Sequence, residues 1–137
     1  MNPTYKPETF DVGTEADAKA IILTPEGSTT DERWERETPY IADDICSFID
    51  LNKESTIVDF GCGIGRISKE LISMSGCTAL GLDTSQSMLA LAVSYVSSPR
   101  FQPVTRPYLQ NMIHNGIKLM PVFLYGLFNI ARDRSKK

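Results

Sequence analysis

Cysteine, histidine and net charge are all scarce in this chain. Cys46, Cys62 and Cys77 are odd in number, widely spaced and form no Cys-x-x-Cys pair. That argues against a disulfide framework and a zinc site, and it suits a reducing compartment. The single histidine, His114, stands beside Asn115-Gly116 and reads as a solvated loop residue, not a general base. A net charge of -3 supplies no field for nucleic acid or an acidic membrane. Long apolar runs are missing too. The most apolar stretch, residues 117–130, carries Lys118 and Pro121 and is too short to span a bilayer. The first ten residues have no apolar core of the kind a secretory signal needs, so a cytoplasmic chain is expected.

What remains is an ordinary globular composition. With 137 residues, 42% apolar and 23% charged, the chain has material for one domain with its own core. Its organising stretch is residues 56–66, Thr-Ile-Val-Asp-Phe-Gly-Cys-Gly-Ile-Gly-Arg. A β-rich run (Ile57, Val58, Phe60) feeds into glycines at alternate positions, Gly61, Gly63 and Gly65. Ile67, Leu71 and Met74 follow on one helical face. Strand, glycine turn and helix start together bring backbone close to a nucleotide-like ligand, because a Cβ there would block the approach. The dinucleotide pattern Gly-x-Gly-x-x-Gly fails in both registers: its third glycine would fall on Arg66 or on Ser68.

The remaining elements follow from periodicity and punctuation. Residues 1–13, with prolines and charges but no period, read as a loosely ordered arm ahead of a single domain over 14–137. Thr14 with Asp17 caps a helix over 16–23, and residues 24–27 mark a turn. Thr38 is expected to cap the next helix, with Pro39 at its first position and Ile41, Ile45, Phe48 and Ile49 as its apolar stripe. Asp43, Asp44 and Asp50 on that helix read as a solvated face, with no metal implied. A strand is predicted over 56–60, then a helix from residue 66 or 67 to 74 ended by Ser75-Gly76, and a second strand over 78–82 that finishes at Asp83. Thr84 or Ser85 caps a helix containing Met88, Leu89, Ala92 and Val96 and closed by Pro99. Residues 101–105 form a third strand that Pro103 confines to an edge. A short helix carries Tyr108, Leu109, Met112 and Ile113, and residues 117–130 supply a fourth strand or a buried helix. Alternating strands and helices imply an α/β, Rossmann-like parallel sheet with flanking helices and right-handed crossovers.

Acidic-x-Gly-x-Gly-x-Gly from Asp59 to Gly65, with Asp83 ending the next strand, resembles motif I and the ribose-binding acid of class I S-adenosylmethionine-dependent methyltransferases. The resemblance covers about residues 14–105 and implies S-adenosylmethionine as cofactor. It gives Asp83 the ribose hydroxyls, since a carboxylate only accepts hydrogen bonds and accepts them strongly. It gives Asp59 the orientation of the glycine loop and the methionine end of the cofactor. Gly61, Cys62, Gly63 and Gly65 would line the amino-acid and ribose portion, while Thr84 and Met88 would touch the ribose and flank the adenine. Trp34 or Tyr40 could close over the cofactor, although packing against the first helix accounts for either. Asp83 could equally serve as a helix cap or dipole partner.

The resemblance stops near residue 117. Residues 117–121 (Ile-Lys-Leu-Met-Pro) hold no carboxylate where the family has one, and the family's later strands and acceptor-facing segments have no counterpart here. The chain therefore reads as an incomplete class I methyltransferase fold, truncated after about the fourth strand. No catalytic residue or methyl acceptor is named by it, and catalysis by the chain alone is not expected. Two readings stay open: a methyltransferase-type domain, or a non-catalytic binding or assembly subunit that pairs as a homo- or hetero-oligomer through an exposed sheet edge. Surface anchoring through residues 117–130 and the basic tail (Arg132, Arg134, Lys136, Lys137) is a third, weaker reading.

Overall fold

The computed structural model describes residues 6–23, 27–115 and 120–122. Its centre is a parallel sheet of β1 (Thr56–Phe60), β2 (Thr78–Leu82), β3 (Phe101–Pro103) and β4 (Met120–Val122), ordered β3-β2-β1-β4. The helices are α1 (Glu15–Ile22), α2 (Thr30–Phe48), α3 (Arg66–Ser75), α4 (Gln86–Val96) and α5 (Arg106–His114). The α/β parallel architecture expected from the sequence is present. β1 and β2 pair over their full lengths, from Thr56 opposite Thr78 to Phe60 opposite Leu82. β4 pairs with β1 and β3 with β2, so the chain reverses its winding after β3.

Strand side chains alternate between two covered faces, as a parallel sheet requires. Ile57 and Ala79 pack with Ile41 and Ile45 of α2, Leu71 and Ile72 of α3, and Ala92 and Val96 of α4. Val58 and Leu80 pack on the other face with Val104 and with Leu109 of α5. A third cluster (Val12, Ala18, Leu23, Trp34, Ile64, Met88) ties the N-terminal segment to the glycine turn. The edge position of β3 matches Pro103, and Val104 N then donates to Gly81 O at 2.8 Å, just past the proline.

Several expectations need correction. Thr38 does not cap a helix. α2 starts earlier, at a capping box in which Thr29 Oγ1 accepts from Glu32 N and Glu32 Oε2 accepts from Thr29 N. It then runs straight through Pro39. Thr38 is buried inside α2, where its hydroxyl donates to Trp34 O and accepts from Arg66 Nε at 2.7 Å. Phe48 leaves the expected stripe and is 75% exposed, while Ile41 and Ile45 are buried. Asp43 and Asp50 are exposed, as a solvated face requires.

The arm is also better held than its composition suggests over its described part. Pro7–Phe10 forms a single 3-10 turn, Ser85 Oγ donates to Phe10 O at 2.7 Å, and Val12 N donates to Ser87 Oγ at 3.0 Å. Ser85, not Thr84, caps α4 by accepting from Met88 N at 3.2 Å. That helix ends at Val96, three residues before Pro99, on Ser97 in the left-handed region. In the stretch 117–130 a strand forms at Met120–Val122. Residues 116–119 and 123–137, including the basic tail, lie outside the described residues. No helix among the described residues is long and apolar enough to cross a membrane.

Candidate functional site

The carboxyl ends of β1 and β2 build the site. All three glycines of the turn have positive φ: 70° at Gly61, 54° at Gly63 and 78° at Gly65. Gly65 is the residue where this matters most. It is the left-handed N-cap of α3, and a Cβ there would stand 2.5 Å from Val96 Cγ2. A Cβ on Gly63 would meet Ile22 Cδ1 of α1 at 2.8 Å, whereas on Gly61 it would meet nothing within 4 Å. The motif thus divides: Gly63 and Gly65 permit packing, and Gly61 leaves open space.

Four amides of the turn are used within the protein. Gly61 N and Cys62 N both donate to Leu82 O, at 2.7 and 3.1 Å. Gly63 N donates to Asp83 Oδ2 at 2.8 Å, and Gly65 N to Cys62 O at 2.8 Å. A phosphate cradle needs such amides directed at the ligand. Here they lock the end of β1 onto the end of β2.

Asp83 is half-buried, and each carboxylate oxygen takes a backbone donor: Oδ2 from Gly63 N, and Oδ1 from Ser85 N at 2.9 Å. A carboxylate offers about four lone-pair sites, so two backbone bonds leave it able to accept from a ligand as well. Asp83 lines a cleft of about 450 Å³ together with Phe10, Phe60, Gly61, Leu82, Thr84, Gln86, Leu89, Val104, Thr105 and Arg106. Mostly apolar walls with a few polar groups are the usual make-up of a small-molecule site, and the volume is in the usual range.

Asp59 is 1% exposed. Ser68 Oγ of α3 donates to its Oδ2 at 2.6 Å, while Oδ1 has no partner among the described residues. Burial pushes its pKa up from 3.8 to about 6; the Ser68 bonds act against this and the nearby Asp83 charge adds to it. Burial likewise pushes the Cys62 thiol up, so this cysteine is a neutral packing residue and no nucleophile at neutral pH.

Of the sequence-derived site residues, the structure brings Gly61, Asp83 and Thr84 to the cleft. Cys62, Gly63, Gly65 and Asp59 lie behind it as the buried frame. Met88 is 2% exposed within the cluster around Trp34 and Ile64, so here it is a core residue beneath the site. Trp34 is also core: its Nε1 donates to Tyr95 Oη at 2.9 Å, and Arg66 stacks over its ring at 4.7 Å. Tyr40 is 72% exposed and lines no part of the cleft.

Sequence reasoning missed Phe10, Gln86 and the cleft wall made by Val104, Thr105 and Arg106. Phe10 and Val12, an apolar pair just before the cap at Thr14, were the available signal for the first. Nothing in residues 104–106 marks them before the sheet order places them beside Asp83.

No protein-family model matches this sequence, and no curated protein matches it. Solved structures do. One is an S-adenosylmethionine-dependent methyltransferase from Thiobacillus denitrificans in complex with S-adenosylhomocysteine. It is 14% identical, with 69% of this chain and 36% of that one covered and a TM-score of 0.47. An S-adenosylmethionine-dependent methyltransferase from Anabaena variabilis is 20% identical, with coverage of 66% and 43% and a TM-score of 0.48. DesVI from Streptomyces venezuelae is 20% identical, with coverage of 69% and 37% and a TM-score of 0.46. This chain thus spans less than half the length of each. The site's own geometry carries the functional reading.

Proposed function

We propose that this chain is the S-adenosylmethionine-binding part of a methyltransferase-type domain. One observation carries the reading: a carboxylate, Asp83, at the end of β2 stands in an apolar cleft beside a glycine turn four of whose amides are already spent. That arrangement fits a ligand with a vicinal diol, a flat apolar base and no phosphate. Asp83 accepts from the ribose hydroxyls, and the open space at Gly61 admits the sugar to the backbone. Thr84 borders the same sugar. Cys62, Gly63 and Gly65 shape the loop, and Met88 supports it from beneath.

Among the described residues Asp59 keeps one buried oxygen unpartnered, an arrangement that costs stability unless something positive or a water meets it. From behind the cleft it orients the glycine loop and helps hold the methionine end through a bridging water. When bound, the cofactor supplies an electrophilic methyl group on a sulfonium; the acceptor and the groups that position it are not named by these residues. Cysteine usage supports a cytoplasmic setting. Calorimetric titration with S-adenosylmethionine and S-adenosylhomocysteine tests the reading, with Asp83→Ala alongside. Binding that the substitution weakens at least tenfold, about 1.4 kcal/mol, is expected. A folded protein that binds neither ligand would overturn it.

A second reading, a non-catalytic assembly subunit, draws on the sheet. Among the described residues β4 pairs on one side only, with β1, so a further strand from this chain or another has that edge available. A concentration-independent monomer mass by light scattering would remove this reading.

A further inference from the structure

One wall of the cleft comes from outside the sheet and its helices. Phe60, Leu82 and Asp83 belong to the ends of β1 and β2, but Phe10 reaches the cleft from the 3-10 turn Pro7–Phe10 ahead of α1. Residues 8–11 are exposed, and Val12 is buried in the cluster around Trp34, so Val12 anchors this segment. Serine hydroxyls at the start of α4 fasten it. Ser85 Oγ donates to Phe10 O at 2.7 Å, Ser87 Oγ reaches the same oxygen at 3.4 Å, and Val12 N donates to Ser87 Oγ at 3.0 Å. Hydroxyl bonds near water add little net stability, so such a latch opens more readily than a sheet ladder. Ser85 also holds the site, because its amide donates to Asp83 Oδ1 at 2.9 Å. Carboxylate and latch therefore meet at one residue. Phe10 is 37% exposed, and a ligand in the cleft would cover part of that surface and favour the latched form.

We infer that residues 7–12 are a strap that gates the cleft, latched by the hydroxyls of Ser85 and Ser87, and that a ligand enters and leaves only when it unlatches. The identity of that ligand rests on the proposed nucleoside reading. Ser87 is then a positioning residue, outside the lining of the cleft, that sets rates more than affinity. Unlatching precedes both entry and release, so a looser latch speeds both and leaves their ratio nearly unchanged. Phe10 is a wall as well as part of the gate, and truncating it also removes contact from the bound state.

Two measurements on the full chain test the strap, with Ser87→Ala as the main variant because Ser85 keeps its cap on α4 there. Amide exchange without ligand reads the latch. Val12 should be protected about a hundredfold less than Val58 and Leu80 in the sheet, and about tenfold less again in Ser87→Ala, with the sheet amides unchanged. Equal protection in strap and sheet, or no response to Ser87→Ala, overturns the inference whatever the cleft binds. Stopped-flow binding of S-adenosylhomocysteine reads the gate. Ser87→Ala should raise the association and dissociation rate constants each about threefold or more, whereas Phe10→Ala should raise dissociation further than association. A Ser87→Ala effect on dissociation alone, or on neither rate, would make the segment a fixed wall and overturn gating. If S-adenosylhomocysteine does not bind the wild type, the nucleoside reading falls, and the exchange result still upholds or overturns the latch.

Discussion

Neighbouring strands each carry an aspartate near their carboxyl end, Asp59 just before the end of β1 and Asp83 just past β2, and the two could hardly be treated more differently. Asp59 on β1 is sealed at 1% exposure, held by Ser68, with Oδ1 unpartnered among the described residues. Asp83 after β2 is half-buried, holds two backbone amides and borders a cleft. Backbone amides neither titrate nor move, so Asp83 is a fixed charge aimed by the fold. Asp59 is a strained one, held at a cost that ionisation increases. The carboxylate near solvent is thus the one equipped to meet a ligand's hydroxyls. The buried one behaves as a frame that a ligand can relieve.

The largest break in this comparison comes from the glycine that caps α3. Gly65→Ala forces a Cβ to within 2.5 Å of Val96 at a φ of 78°. Overpacking and left-handed strain together should cost about 3 kcal/mol in urea unfolding and loosen both aspartates. Asp83→Ala comes next, at about 2 kcal/mol, because Gly63 N and Ser85 N lose charged acceptors at a partly exposed position. An unchanged midpoint would mean that water replaces the carboxylate there at no cost.

Asp59 supplies a contrast in pH. A carboxyl whose folded pKa is raised contributes stability that is complete below its unfolded value, 3.8, and lost as pH rises through about 6. Unfolding free energy should therefore fall between pH 4 and pH 7, by on the order of 2 kcal/mol from this group. Asp59→Asn should flatten that slope and equal or exceed the wild type at pH 8. A slope that survives the substitution would place its origin elsewhere. Gly61→Ala is the mildest change. Its φ of 70° is strained but its Cβ would meet open space, so a loss of about 1 kcal/mol is expected, with weakened ligand binding.

Legibility followed how local the determinants are. β1, β2, α3 and the glycine turn were readable residue by residue, since strand alternation, the αL caps at Gly65 and Gly76 and the Ser85 cap are all set within a few positions. α2 was misread because Thr38-Pro39 imitates a helix start. A stronger capping box at Thr29 and Glu32, with Trp34 and Ile41 in the core, carries the helix through the proline. Asp83 was legible as the residue that ends the second strand, and it comes to the cleft. The Arg106 wall was not, because it reaches the cleft only through the β3-β2-β1 order. Met88 shows the converse: its spacing from Asp83 suits a ligand contact, yet the helix face it occupies packs inward against Trp34 and Ile64.

The most direct test of the division between frame and site is an amide NMR titration with S-adenosylhomocysteine. Shifts concentrated at Gly61, Asp83, Thr84 and Arg106, with Gly65 and Met88 little changed, are the predicted result. Saturable shifts centred elsewhere, or none in a well-dispersed spectrum, would contradict the assignment of this cleft as the binding site.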